Sequence, residues 1–230
     1  MTFTCRTSTV TDIEGNVYST VMLATQCWMS ENLRTTKYAN GVDIPNGGTN
    51  GSNTDPYYYS NTNSALSLQQ RGLLYNWPAV MNGASSSEAN PSGVQGICPT
   101  GWHVPSEAEI DALISYVSSQ SEFVCGSNNG HIAKALASQE GWESSTTDCA
   151  VGNNPELNNA TGFSAFPAGM LDSSNEFSVD ISEAAFWTTS STPANPLYVY
   201  YYHLTNYIKD FIYPQTTKNY GMSVRCVRNN

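Results

Sequence analysis

The sequence predicts an α+β fold, and three observations carry that prediction. β-rich stretches separated by turns open and close the chain, one strongly patterned helix follows Pro105, and long loops of Asn, Gly, Ser and Thr lie between them. Strands grouped towards the ends, rather than alternating with helices, argue for segregated sheets and helices and against a parallel α/β sheet. The chain has 230 residues, 40% of them hydrophobic, enough to bury around 70% of its unfolded surface about one core. No internal repeat or linker-like stretch divides it, so a single domain over residues 1–230 is expected.

Residues 7–10 and 17–23 are rich in Thr and Val and flank the turn Asp12-Ile-Glu-Gly-Asn16, a hairpin pattern. Cys5 and Cys27 bracket that hairpin at matching distances from the turn, which predicts a cross-strand disulfide. Residues 40–65 form a Gly/Asn/Ser/Thr/Pro loop containing Tyr57, Tyr58 and Tyr59; little in it suits a core, so it is expected over the surface. A second polar loop spans 82–96. Ser106 reads as a helix N-cap with Glu109 three residues on, a capping box, and Ile110, Leu113, Ile114 and Val117 follow at helical spacing. A shorter helical turn is expected over 134–139. Residues 184–188, 197–204, 207–213 and 222–227 each have strand composition and complete a terminal meander.

The net charge is −10, yet only 12% of residues are charged, against about 25% in an average domain. The surface is therefore mostly neutral and polar. Lys and Arg number 9 and form no cluster, which argues against nucleic acid and against anionic membranes as partners. No apolar run approaches the roughly 18 residues of a membrane span, so no membrane insertion is expected. Cys5, Cys27, Cys98, Cys125, Cys149 and Cys226 include no CxxC pair, and structural zinc sites bring their ligands in such pairs. Disulfides in an oxidising compartment, extracellular or at the cell surface, are the better reading, with buried free thiols as the alternative. No secretion signal stands ahead of Cys5, which leaves an upstream leader and delivery within another assembly both open.

Several stretches, in order, resemble one family. They are Asp12-Ile-Glu-Gly-Asn-Val-Tyr18, Gln26-Cys-Trp-Met-Ser-Glu-Asn-Leu33, Gly72-Leu-Leu-Tyr-Asn-Trp77, Cys98-Pro-Thr-Gly-Trp-His-Val-Pro-Ser106, Gly162-Phe-Ser-Ala-Phe-Pro-Ala-Gly169, Phe186-Trp-Thr-Thr-Ser-Ser191 and Ser223-Val-Arg-Cys-Val227. Together they resemble the Fibrobacter succinogenes major paralogous domain, a family of surface and secreted bacterial proteins. That family is similar to C-type-lectin-like domains and to the formylglycine-generating-enzyme fold. The resemblance implies an α+β unit with its termini close together and long loops presenting a binding surface. It also implies a long-range Cys98–Cys226 disulfide and, with that pair formed, a local Cys125–Cys149 bridge.

The residues of reactive chemistry are sparse. Gly162-Phe-Ser164-Ala-Phe166 approaches a nucleophile elbow but has Phe where the last Gly belongs, so it reads as a core-lining turn. His103, His131 and His203 share no ligand-spaced motif, and His103 reads as a packed structural residue. Formylglycine-type oxidation would need a reactive cysteine pair; Cys226 and its partner read as structural, and the remaining cysteines have no obvious electropositive surroundings to lower a pKa. The expectation is the fold without the enzyme, with no catalytic residue, no metal ligand set and no required cofactor. Asn154-Pro155-Glu156 has calcium-ligand residue types in an unconvincing order; Asp172, Asn175, Glu176 and Asp180 leave a structural calcium open.

Aromatic residues are the most informative feature. Tyr198, Tyr200, Tyr201, Tyr202 and Tyr207 crowd one segment, with Tyr213 and Tyr220 nearby. Strand alternation puts Tyr198, Tyr200 and Tyr202 on one face. Tyrosine gives large, rigid contact area at low entropic cost. The binding face is therefore expected on Tyr198, Tyr200, Tyr202, Asn206, Tyr207, Lys209 and Asp210, with Trp187 beneath or beside it. Replacing Tyr200 and Tyr202 by Ala is expected to abolish binding with little change in melting temperature. The ligand is a protein or a glycan on another cell or surface. A lectin-like domain with such a segment before a fixed last strand also resembles the variable proteins of diversity-generating retroelements. Two rivals stand beside this reading: an enzyme related to the formylglycine-generating fold, and a purely structural surface or fimbrial domain.

Overall fold

The computed structural model describes residues 2–61, 66–178 and 181–229. Strands β1 (Val10–Thr11), β2 (Val17–Tyr18), β3 (Thr20–Leu23), β4 (Gln26–Met29) and β5 (Tyr58–Tyr59) lead to the short helix α1 (Leu68–Arg71), β6 (Leu74–Tyr75) and α2 (Trp77–Met81). Strand β7 (Trp102–His103), the long helix α3 (Glu107–Ser119) and the short α4 (Ala133–Leu136) occupy the middle of the chain. It ends in β8 (Glu183–Thr192), β9 (Asn195–Thr205), β10 (Gln215–Thr217) and β11 (Val227–Arg228). Sheets dominate and helices are few, as the α+β expectation requires.

Local chemistry explains the first turn. Asp12 Oδ1 accepts from the backbone N–H of Glu14 and Asn16 at 3.0 and 2.9 Å, and Oδ2 accepts from the Tyr18 hydroxyl at 2.7 Å. This Asx-type closure leaves Gly15 at φ +85°, a conformation that glycine adopts without strain. The predicted strand 17–23 is divided at Ser19. Its second half pairs with β4 in a further hairpin, and β4 continues through β11 to β7 in the order β3-β4-β11-β7. Both faces of β4 are covered, Cys27 and Met29 by one core and Trp28 by the other, so all four of its residues are buried and Gln26-Cys-Trp-Met shows no alternation.

Helix α3 starts as its capping box predicts. Ser106 Oγ accepts from the Glu109 N–H at 3.3 Å, and Glu109 Oε2 accepts from the Ser106 N–H at 3.1 Å. Ile110, Leu113 and Val117 face a core that also holds Trp28, Phe163 and Phe186. A second core gathers Tyr75, Trp102, Trp187 and Met222.

All six cysteines are paired, as Cys5–Cys27, Cys98–Cys226 and Cys125–Cys149. This bonding fits an oxidising compartment. The Cys5–Cys27 bond does not cross the first hairpin: Cys27 lies in β4 opposite Met22, so the bond ties the N-terminal segment to the second hairpin. The Arg228 guanidinium sits 4.2 Å over the Phe3 ring, so the two ends of the chain are neighbours. Among the described residues no helix is long and apolar enough to cross a membrane.

Three further expectations are corrected. Tyr59 is fully buried against Leu74, Ala168 and Leu171, because pairing with β6 draws that part of the 40–65 loop inward. Residues 207–213 form no strand: they turn, and the Lys209 carbonyl accepts from the Ala133 N–H at 2.9 Å, binding the segment to α4 instead. The third strand beside β9 is β10. Of residues 222–227 only Val227 enters a strand, although Met222 and Ser223 bridge to Tyr75 and Phe186.

Candidate recognition surface

The sheet β10-β9-β8 carries the tyrosines. β10 aligns Gln215 with Tyr200 and Thr217 with Tyr198, and the Tyr201 N–H donates to the Pro214 carbonyl at 3.1 Å. Directly paired residues share a face, so Tyr198 with Thr217 and Tyr200 with Gln215 lie on one side. Tyr213 continues that side, its ring 6.0 Å from the Tyr202 ring. The opposite side is apolar and turned inward: Val199 is buried and Tyr201 packs on Trp187 at 6.3 Å.

A bulge interrupts the β8–β9 pairing. Trp187 pairs with Tyr201 and Ser191 with Val199, so residues 188–190 of β8 together face Tyr200. These three are fully buried and knit the sheet to its surroundings. Thr188 Oγ1 donates to the Tyr200 carbonyl at 2.8 Å, Thr189 Oγ1 to the Ser87 carbonyl at 2.6 Å, and Ser190 Oγ accepts from the Glu107 N–H at 3.0 Å. The Thr-Thr-Ser run after Trp187 is therefore a set of struts that anchors β9 to the start of α3.

Exposure divides the predicted residues. Tyr198 is 40% exposed, Tyr200 half-buried and Tyr207 61% exposed, whereas Tyr202 and Trp187 are 0% exposed. Trp187 lies beneath the face, its Nε1 donating to the Tyr75 carbonyl at 2.6 Å. Tyr202 corrects the sequence expectation, for it is core and not surface. Its ring is 5.2 Å from that of Phe211, and its hydroxyl meets the Glu107 carbonyl and Asp111 Oδ1 at 3.4 Å. Burial, then the charges of Asp111 and Glu107, drive its pKa well above the usual tyrosine value. The first turn of α3 covers Tyr202, while Tyr198 stays exposed and Tyr200 half-buried. Tyr202→Ala should therefore cost about 3–5 kcal/mol of stability, in the range of large aromatic core truncations, read as a shift of the urea midpoint.

Asn206, Tyr207, Lys209 and Asp210 do not join this face. At about 3.4 Å per residue along a strand, Tyr198 and Thr205 stand roughly 24 Å apart, and these four lie beyond Thr205. Asn206 is buried, its N–H donating to the Ser182 carbonyl at 2.9 Å and its carbonyl accepting from the Gly152 N–H at 2.8 Å. In their place the structure adds Tyr213 (55% exposed), Gln215 and Thr217, while Leu197 (59% exposed) alternates to the Val199 side. Only the register of β10 brings Gln215 beside Tyr200, and no sequence signal near Gln215 announces it; Tyr213, which the sequence shows near the tyrosine cluster, joins the same side just ahead of β10. The face is flanked by carboxylates at the start of α3. Burial first, then Asp111 and Glu88, hold the Glu107 carboxyl above its usual pKa.

The remaining candidates are structural. His103 Nε2 meets Glu109 Oε1 at 2.8 Å and Nδ1 meets Asn229 Oδ1 at 2.6 Å. His203 Nε2 meets Glu183 Oε2 at 2.8 Å. Ser164 sits at φ +54° in a turn, its carbonyl accepting from Arg225. Asp172 Oδ1 accepts from the Ser174 and Glu176 N–H groups at 2.8 and 3.0 Å, a turn closure; Asp180 lies outside the described residues. Among the described residues no group of three or more His, Cys, Asp or Glu side chains is placed to hold a metal ion.

No curated protein and no solved structure matches the chain. The family model of the Fibrobacter succinogenes major domain matches residues 21–228, nearly the whole sequence, and the chain belongs to that family.

Proposed function

We propose that the chain is an extracellular ligand-recognition domain of C-type-lectin-like type, related in fold to the formylglycine-generating enzyme, that binds without catalysis. Its binding face is the outer side of β9 and β10 with the residue just ahead of β10, built from Tyr198, Tyr200, Tyr213, Gln215 and Thr217. One observation carries the reading: Tyr198 and Tyr213 stand exposed, with the half-buried Tyr200 between them, on one side of the sheet, where a folded domain normally hides such rings. Rigid tyrosines on a held scaffold lose little entropy on binding, and the Thr188–Ser190 struts supply the holding. The breadth of the face suits a protein partner more than a narrow glycan. Carboxylates of Glu107, Asp111 and Glu88 beside it favour a partner with basic side chains, which would associate faster at low salt. The pairing of all six cysteines supports the non-enzymatic reading, since formylglycine-type oxidation needs thiols. Residues 190–222 are also where a diversity-generating retroelement would vary such a scaffold, so sibling copies should differ there and agree elsewhere.

The test is a panel of secreted proteins and glycans probed with wild type and with a Tyr198→Ala, Tyr213→Ala double variant. Wild-type hits should weaken about tenfold or more in the variant, as for paired hot-spot tyrosines, with the melting temperature little changed. Hits that ignore both substitutions would reject this face.

A further inference from the structure

A cavity of about 350 Å³ opens where the segment after β4, helix α1, the turn after α4 and the loop 159–166 meet. It shares no residue with the tyrosine face. Its floor is Arg225, a side chain only 2% exposed. Nε donates to Asn32 Oδ1 at 2.7 Å, Nη1 to the carbonyls of Met29 and Phe163 at 3.2 and 2.7 Å, and Nη2 to the Ser164 carbonyl at 2.7 Å. A guanidinium has five N–H groups, so one Nη2 N–H has no acceptor among the described residues. Nor does any carboxylate there lie within ion-pair distance of it. The acid it senses, Glu31, is engaged by Arg34 at 3.2 Å, the Ser19 N–H at 2.8 Å and Gln69 at 3.3 Å. Burial pulls the Arg225 pKa down to about 9, which leaves it charged at neutral pH. A buried cation without a counter-ion is costly and marks a place where a ligand could supply one.

The walls point to the rest of that ligand. Ser164, which gives Arg225 its carbonyl and also lines the cavity, holds φ +54°; strain of this kind tends to gather at ligand clamps. Three amides each have one side engaged and the other free among the described residues. Gln70 Oε1 serves the α1 cap, Gln139 Nε2 donates to the Glu156 and Asn158 carbonyls, and Asn159 Oδ1 accepts from the Ser164 N–H. Their open groups are two amide donors and one carbonyl acceptor, and the half-buried Phe166 adds an aromatic ring. Mixed amide donors and acceptors beside one ring suit the hydroxyls and apolar face of a sugar.

We propose that this cavity is a saccharide site in which the free Nη2 N–H of Arg225 receives the carboxylate of a uronic acid unit, while Gln70, Gln139 and Asn159 meet its hydroxyls. Glu31 and Glu140 both line the cavity and oppose the ligand's charge; Glu140, exposed and outside the Arg34 contact that engages Glu31, provides a test of sign.

D-galacturonate and D-glucuronate, with galactose and glucose as neutral controls, are titrated into the full chain and followed by amide chemical shifts. A uronate should bind with Kd of about 1 mM, the weak end of specific recognition, shifting signals of residues around the cavity. The neutral sugar should bind about tenfold more weakly for want of the charged hydrogen bond. Gln139→Ala and Asn159→Ala should each weaken the uronate by about 2–10-fold, one hydrogen bond apiece. Glu140→Gln should tighten it about twofold by removing a like charge. These wall variants leave the buried guanidinium in place, so the test does not depend on folding without Arg225. The proposal is overturned if no cavity signal moves with either uronate, if the neutral sugars bind as well as the uronates, or if Glu140→Gln weakens binding.

Discussion

Replacing Cys98 and Cys226 together by Ala should lower stability by about 4–5 kcal/mol, the largest loss expected from removing any one crosslink of this chain. The bond spans 128 residues, and in the chain-entropy account a crosslink restricts the unfolded state more as the loop it closes grows. Cys125–Cys149 spans only 24 residues, for which the same account gives about 3 kcal/mol. At roughly 2–4 °C per kcal/mol for a chain of this size, losing the long bridge should lower the melting temperature by about 10–15 °C. Cys98 and Cys226 are both buried, and the Cys226 carbonyl accepts from the Met29 N–H at 3.0 Å. The bond thus holds β11 in the middle of its sheet, between β4 and β7. Calorimetry on the two double variants checks this: equal losses would show that loop length does not govern the effect.

Glu109→Gln should cost about 3–5 kcal/mol, the range for removing one partner of a buried charged pair. Glu109 is buried and joins four segments. Oε2 accepts from the N–H groups of Ser106 at 3.1 Å and Ser92 at 3.0 Å, while Oε1 meets His103 Nε2 at 2.8 Å and Gln26 Nε2 at 3.3 Å. One carboxylate therefore caps α3, fixes the 82–96 loop, and holds β7 and β4. The pair also predicts a pH dependence. Burial is the strongest influence on His103 and pulls its pKa down, but the hydrogen bond and charge of Glu109, with the Asn229 hydrogen bond, outweigh it and leave the pKa raised. A raised value means that the folded protein binds the proton more tightly than the unfolded chain. The resulting stabilisation is full below the unfolded histidine value of about 6.5 and is lost as pH rises through the higher folded value. Urea midpoints taken from about pH 6 upward should therefore fall in wild type and change less in Glu109→Gln. A wild-type midpoint that rises across that window would contradict the assignment.

The contrast between these residues and the tyrosines shows where sequence reading succeeds. Ser106 and Glu109 are three residues apart, and a capping box needs only those two side chains and their own backbone, so the start of α3 was legible. The apolar spacing of Ile110, Leu113 and Val117 likewise depends on helix geometry alone. Glu109 was legible as a cap, but not as the partner of His103, Ser92 and Gln26, because those contacts join segments that meet only after the sheet closes. The Cys5–Cys27 pairing was read from symmetry about a turn. The pair forms, yet it does so through β4, a strand that the sequence did not separate from its neighbours.

Tyr198, Tyr200 and Tyr202 illustrate the limit at the candidate site. Alternation assigned all three to one side, and locally that holds. It could not say how far α3 reaches along that side, and α3 covers Tyr202 while leaving Tyr198 open. Gln215 gave no local sign of belonging to the face, since it arrives through the register of β10 against β9, and Tyr213, legible as a neighbour of the cluster, could be placed on the face only by that same pairing. Tyr59, in a loop of polar composition, is buried for the same reason, by pairing with β6. From its own residues, then, the chain declared its α+β class, its neutral surface, its disulfide chemistry, the cap of its main helix and the motifs of its family, because each is written in composition or in neighbours a few residues apart. Which tyrosines meet solvent, which carboxylate joins four segments and why Arg225 stands buried among backbone carbonyls were decided by tertiary structure, because burial and charge pairing depend on what distant segments bring to the same place.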